Sequence, residues 1–323
     1  MRKSGIIAAG LALLAASQQA MALEGGTGAY LLGSRDSMAG FVPPPGTYIT
    51  NSSVFMNADA PTLSISGVPV TAPETDVYIN KTDISHFFEG QFFGGTAGVT
   101  VSIPVVTGEL SGSFLPNAPF QGFKDQDTGF GDLTITPVIG WHDGNLHYNF
   151  ALSIFMPTGE YDSAKISLAP PSVNNILNFS KNKWMFMPTL SATYLDPQAG
   201  LEFSGALGIG FSTRNPATDW KNAPELTFEG AILQHFPNRL AFGVSGYYFQ
   251  QLGEDSGSGA DNFKSLVGAE SLQARLFGIG PILTYQTAVG NIPVSLEAKY
   301  THEFGARRRF EGDLFWGSIN FAF

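Results

Sequence analysis

Cysteine is absent from the 323 residues, which excludes disulfides, zinc–thiolate sites and thiol nucleophiles. Charge is scarce, at 14% of residues against about 25% in a soluble domain. No long apolar run fills the deficit. Beyond the leader, no stretch approaches the ~18 apolar residues of a spanning helix. Basic residues are few, 17 against 27 acidic ones, and the net charge of −10 speaks against nucleic acid as a partner. Glycine (38) and phenylalanine (27) are abundant, and this aromatic content argues against a disordered chain. A Gly- and Phe-rich, charge-poor chain suits a β-rich protein that meets lipid.

Residues 1–22 predict a secretory signal peptide. Arg2 and Lys3 are basic, Gly5 to Ala16 is apolar, and Ala20-Met21-Ala22 supplies the small-x-small pattern before cleavage near Ala22. The apolar run is too short for a membrane anchor. Residues 23–46 follow as a separate segment, and 47–323 as the main domain.

That domain alternates with a period of two. In Leu146–Met156 the even positions are Leu146, Tyr148, Phe150, Leu152, Ile154 and Met156, while the odd ones are mostly small or polar. Leu201, Phe203, Leu207, Ile209 and Phe211 likewise oppose Glu202, Ser204, Ala206, Gly208 and Gly210. Such a strand meets a different solvent on each face. Twelve candidate strands fall at roughly 47–58, 76–88, 91–104, 131–142, 145–157, 183–195, 200–213, 223–236, 239–251, 273–287, 291–304 and 309–323. The second is mixed, because Lys81 and Asp83 share a face with Val77 and Ile79.

Three features favour an all-β, transmembrane, antiparallel up-and-down barrel over a soluble sandwich. The strands are long, as a tilted span of ~9–11 residues requires. Short turns alternate with long connections, at about 59–75, 105–130, 158–182, 214–222, 252–272 and 305–308. Aromatics gather near both strand ends. An open edge is not tolerated in hydrocarbon, so the strand starting near Tyr48 should pair with the last one. The chain ends with apolar residues at alternate positions through Phe321 and Phe323. This resembles the terminal strand recognised by the barrel assembly machinery. The expected location is the outer membrane of a Gram-negative bacterium, in contact with lipid and lipopolysaccharide.

Several stretches go beyond this general grammar: Pro43-Pro44-Pro45-Gly46-Thr47-Tyr48, Gly129-Phe130-Gly131-Asp132-Leu133, Pro157-Thr158-Gly159-Glu160-Tyr161, Asn215-Pro216-Ala217-Thr218-Asp219, Gly246-Tyr247-Tyr248-Phe249-Gln250-Gln251 and Gly280-Pro281. In this order they resemble the outer-membrane family named for a meta-pathway of phenol degradation, over nearly all of residues 24–323. The resemblance implies an uptake channel for aromatic compounds. The word "degradation" reflects accompanying pathways and implies no reaction.

Facing away from lipid, the lumen candidates are His147, Asn149, Glu202, Glu225, Glu229, His235, Glu297 and Lys299, with Arg214 as a further one. They either brace the wall or meet the solute. Twelve strands enclose a modest lumen, and residues 23–46 are the candidate plug, with a periplasmic tail as the alternative. Phe114, Phe120, Phe123 and Phe179 in the long loops could capture a hydrophobic solute or merely pack over the mouth. Gly94-Gly95, Gly205 and Pro281 could loosen strand pairing for a sideways exit.

An enzyme is the weaker expectation. No Gly-x-Ser-x-Gly elbow follows a strand and opens a helix, and His302-Glu303 lacks the second His of a zinc motif. No catalytic residue, metal or cofactor is assigned. The alternatives to passive uptake are a structural or adhesion barrel and, less favoured, a barrel lipid hydrolase.

Overall fold

The computed structural model describes residues 24–114, 122–162, 165–168, 171–174 and 176–323. The predicted signal peptide and Phe120 lie outside these residues. In chain order the elements are β1 (Gly46–Asp59), β2 (Thr62–Ile65), β3 (Val68–Phe87), β4 (Thr96–Phe114), β5 (Phe123–Phe130), β6 (Thr134–Asp143), β7 (Leu146–Phe155), β8 (Lys165–Leu168), β9 (Pro171–Asn174), β10 (Met185–Asp196), β11 (Leu201–Ser212), β12 (Glu225–His235), β13 (Leu240–Gln251), α1 (Ser258–Leu266), β14 (Arg275–Val289), β15 (Ile292–Arg307) and β16 (Glu311–Ala322).

Twelve of these strands close an antiparallel ring: β1, β3, β4, β6, β7 and β10 through β16. Each pairs with its sequence neighbours in the ring, and β1 pairs with β16 from Tyr48↔Ala322 to Asp59↔Glu311. Thr47 N donates to Phe323 O (3.2 Å) and Phe323 N to Thr47 O (2.8 Å), which seals the seam. Closure leaves no unpaired edge in hydrocarbon.

Alternation in sequence becomes alternation in exposure. On β11, Phe203, Leu207 and Phe211 are 45–49% exposed while Glu202, just before Phe203, is fully buried and Ala206 between them is buried. Large apolar side chains therefore cover the outside of the ring, and charge turns inward. Aromatic clusters border this belt. Tyr248, Phe277 and Phe304 follow one another at 4.8 and 5.6 Å, beside Tyr300–Phe315 at 5.0 Å, toward the long-loop end. Trp141–Tyr148 (5.5 Å) and Phe321–Phe323 (6.4 Å) stack toward the short-turn end. These are the two girdles of a bacterial barrel, whose short turns face the periplasm.

The expected strands all occur, but several of the expected loops contain strand, among them 158–182, where β8 pairs with β9. β3 and β4 run for 20 and 19 residues, well past the barrel, and β2 and β5 pair with their extensions. This outer ribbon has its own core, in which Leu63, Val70 and Leu110 pack with Ile176 and Phe310. Pro104 marks the junction. It has no N–H for a ladder, and there β4 exchanges β6 (Ser102↔Thr134) for β5 (Val105↔Phe130). The connection at 252–272 holds α1, whose Ala260 and Phe263 pack on Trp220 and Leu272.

Two expectations about wall weakness change. Gly205 is paired on both sides, with Ala192 and Gly230, and Gly94-Gly95 lie in a turn closed by a Phe92↔Gly95 bridge. Neither interrupts the ring. Between β14 and β15, in contrast, the ladder runs to Ile279↔His302 and resumes at Ile282↔Lys299, skipping Gly280 and Pro281.

Candidate functional site

Residues 24–45 run inside the ring from its long-loop end to its short-turn end, where β1 begins. We call this segment the strap. Its backbone supplies four of the donors. Glu229 accepts from Gly33 N (2.9 Å), Arg35 N (2.8 Å) and the Tyr30 hydroxyl (3.0 Å). Glu202 accepts from Met38 N (2.7 Å) and the Ser37 hydroxyl (3.1 Å), and also meets His235 Nε2 at 2.6 Å. Lys299 Nζ lies 2.5 Å from Asp36 Oδ2 and 3.3 Å from Glu297 Oε1, and donates to Gly33 O. Asn149 Nδ2 donates to Ala39 O (2.8 Å), and Gly40 N to Thr193 Oγ1 (2.9 Å). A Cβ on Gly40 would sit 2.4 Å from His147 O, so glycine permits the close approach. At the foot, Phe41 packs on the rings of His142 and His147, each 5.1 Å away.

At the outer mouth, motifs far apart in sequence meet around the start of the strap. Glu24 accepts from Asn215 Nδ2 (3.1 Å) and Thr218 Oγ1 (2.5 Å), with Lys183 Nζ at 3.5 Å. Asn215 also donates to the Tyr161 hydroxyl (3.2 Å). Asp132 accepts from Gly159 N (3.1 Å) and Lys181 N (2.8 Å), which ties Gly129–Leu133 to Pro157–Tyr161. Lys181 reaches the strap at Thr27 Oγ1 (2.8 Å). Burial, then the charge of Lys183 nearby, brings the Lys181 ammonium down to about 8. Asp219 caps the neighbouring loop. It accepts from the hydroxyl and backbone N–H of Ser258 and pairs with Arg214, and these hold its carboxyl down at about 2.

The strap leaves space on one side. A cavity of about 560 Å³ lies between it and the inner faces of β1, β3, β4 and β6. Its wall is largely apolar toward the outer end, with Met56, Val77, Ile79, Val106 and Phe155, and Phe179 hangs at the mouth. A second cavity of about 350 Å³ lies toward the periplasmic end and is lined by Thr50, Ser52, Glu297, Ser318 and Asn320 among others. Lys81 and Asp83, with Nζ to Oδ2 at 3.0 Å, line both.

The candidate residues thus fall into groups. Asn149, Glu202, Glu229 and Lys299 are buried and touch the strap. His147 sits at the foot with His142, their Nδ1 atoms 2.7 Å apart. His235 and Glu297 bind Glu202 and Lys299. Glu225 is buried nearer the mouth and accepts from Asn222. Arg214 is a correction: it is half-exposed on the outer loop, because its partner Asp219 is there and not in the lumen. Of the loop aromatics, Phe114 ends β4, Phe123 packs beneath the ribbon and Phe179 borders the cavity. Sequence reasoning missed Thr193 and Asp36, which carry no pattern, and left Lys81 and Asp83 unassigned on a mixed face.

A sequence model of the family described as "Putative MetA-pathway of phenol degradation" matches residues 58–319. No curated protein matches the chain. Among solved structures, the crystal structure of an outer membrane channel from Pseudomonas putida F1 is similar with a TM-score of 0.64 at 12% identity, covering 90% of this chain and 98% of that one. At that identity the likeness is one of fold. The translocator domain of the autotransporter NalP from Neisseria meningitidis has a TM-score of 0.44 at 11% identity, covering 89% and 92%. A FadL homologue from Pseudomonas aeruginosa has 0.41 at 8% identity, covering 90% and 91%. These two are too distant to support an argument.

Proposed function

We propose a transport role from one premise: the chain belongs to the family described as a MetA-pathway of phenol degradation. It acts as an outer-membrane channel for passive uptake of hydrophobic or aromatic small molecules. One observation carries this reading: a ring with an apolar exterior holds an internal cavity of about 560 Å³, within the ~300–1,000 Å³ range of small-molecule sites. The aromatic preference draws its support from the family's name. The strap narrows the lumen as a plug, with Asn149, Glu202, Glu229 and Lys299 as its seats. Phe179 helps draw a solute from the mouth. The outer rim meets lipopolysaccharide, and the terminal strand with Phe321 and Phe323 serves assembly. No step needs an energy source, because the solute moves down its gradient.

Growth tests this. Cells lacking the protein should grow more slowly on limiting hydrophobic aromatic carbon sources and normally on succinate. Equal growth on both, together with no conductance of the purified protein in planar bilayers, would instead favour a structural barrel. The dense hydrogen bonding between strap and wall is the feature that favours that second reading.

A further inference from the structure

We propose that solutes cross alongside a strap that stays in place, against β1, β3, β4 and β6, and that the Lys81–Asp83 pair is the constriction on this route. This inference rests on the channel reading above.

The strap is poorly suited to leave. Its departure would strip Glu229 of the Tyr30, Gly33 and Arg35 donors, Glu202 of Met38 and Ser37, and Lys299 of Asp36, leaving Glu202 to Ser204 and His235 and Lys299 to Glu297. A buried charge that loses its partner is strongly destabilising. The opposite side of the strap needs no such rupture. There the two cavities already abut, sharing Ser34, Ser37, Met38, Lys81 and Asp83 as lining residues.

The inward face of β3 reads Val77, Ile79, Lys81, Asp83 from the outer end downward, so its polarity changes along the route. Val106 and Phe155 make the outer chamber apolar, whereas Ser52 and Asn320 make the inner one polar. At the waist the ion pair presents a donor and an acceptor with no net charge. Oδ1 of Asp83 is buried with no hydrogen-bond partner among the described residues, so it becomes an acceptor for a passing hydroxyl when the pair shifts aside. The chemistry fits a ring-sized apolar body with one uncharged hydrogen-bonding group, such as a hydroxyl or an ester. The outer chamber takes the body, and the waist exchanges hydrogen bonds with the polar group.

The absence of native cysteine makes an added thiol unique. Ser102→Cys, in the outer chamber, and Ser52→Cys, in the inner one, place near-isosteric thiols along the route. Ser245→Cys places one in the opposite wall, on β13, lining neither chamber. Each refolded variant is studied in planar bilayers in KCl, before and after a cationic methanethiosulfonate reagent. Modification should remove most of the current through the first two and leave the third unchanged. A Lys81→Ala/Asp83→Ala variant should conduct severalfold better than the parent. Block at Ser245→Cys, silence at Ser52→Cys, or unchanged conductance of the Lys81/Asp83 variant would overturn the route. An unmodified protein that passes no current would overturn the channel reading itself.

Discussion

The two sides of the barrel interior treat the same segment differently. The wall formed by β10, β11, β12 and β15 grips the strap through Thr193, Glu202, Glu229 and Lys299. The wall formed by β1, β3 and β4 offers Thr100, Ser102, Val77 and Ile79 and leaves cavities. Most inward charge is therefore spent where the chain holds itself, and apart from the Lys81–Asp83 pair the open wall offers small or neutral side chains where space remains. A lumen reading that seeks charge on cleanly alternating strands marks the gripping wall and overlooks the open one.

The sharpest way to break this contrast is to remove a grip. Glu229→Ala leaves two backbone N–H groups and the Tyr30 hydroxyl without their acceptor, and bonds to a charged group are worth about 1.5–3 kcal/mol each. The strap should loosen, seen as new protease cleavage within residues 24–45 of the refolded barrel. Lys299→Met should come next, because Asp36 and Glu297 lose their cation; breaking a buried pair costs about 3–5 kcal/mol. Adding Asp36→Asn should recover part of that loss in chemical denaturation. On the open side, Ser102→Ala should shift stability by no more than about 0.5 kcal/mol, near the scatter of substitutions away from key contacts. A large loss there would erase the distinction between the walls.

Two titrations at the mouth sharpen it further. The Asp219 carboxyl, held at about 2 against an ordinary 3.8, supports its loop above the higher value, and that support is lost as pH falls toward 2. Proteolysis between 252 and 272 should increase on acidification, and Asp219→Asn should show it already at neutral pH. Lys181 gives a slope of the same sign at the alkaline end. With its ammonium at about 8 against 10.5, the unfolded chain binds more protons between those values, so stability should rise with pH across that window. Lys181→Met should abolish the slope in denaturation series at pH 8 to 10.

Much of the wall was legible because period two is a direct record of two solvents. Leu201 to Phe211 needed no further information to be placed, and the seam followed from the need to satisfy edges. The outer ribbon was not legible. Pro104 ends the simple pattern, and Leu110 and Val70 bury against a loop that sequence cannot place. The site was legible where charge faces inward on a clean strand, as at Glu202, Glu229 and Lys299. Their partners were not, because Gly33, Arg35 and Met38 act through backbone N–H groups, which every residue except proline possesses. Lys81 and Asp83 did stand out as a mixed face, but only the change from apolar to polar chamber gives that mixture a meaning. The distant motifs Gly129–Leu133, Pro157–Tyr161 and Asn215–Asp219 declared a family without declaring that they meet over Glu24.

The seam also bears on the order of assembly. Residues 24–45 immediately precede the strand that the last strand must find, and Glu24 is already near the far mouth when Thr47 meets Phe323. A finished cylinder would have to be threaded by residues 24–45 passing along its height. Zipping the final hairpin around a segment already laid against its wall avoids that passage. The act that closes the wall against lipid therefore also encloses residues 24–45, and a chain truncated before β16 forfeits both.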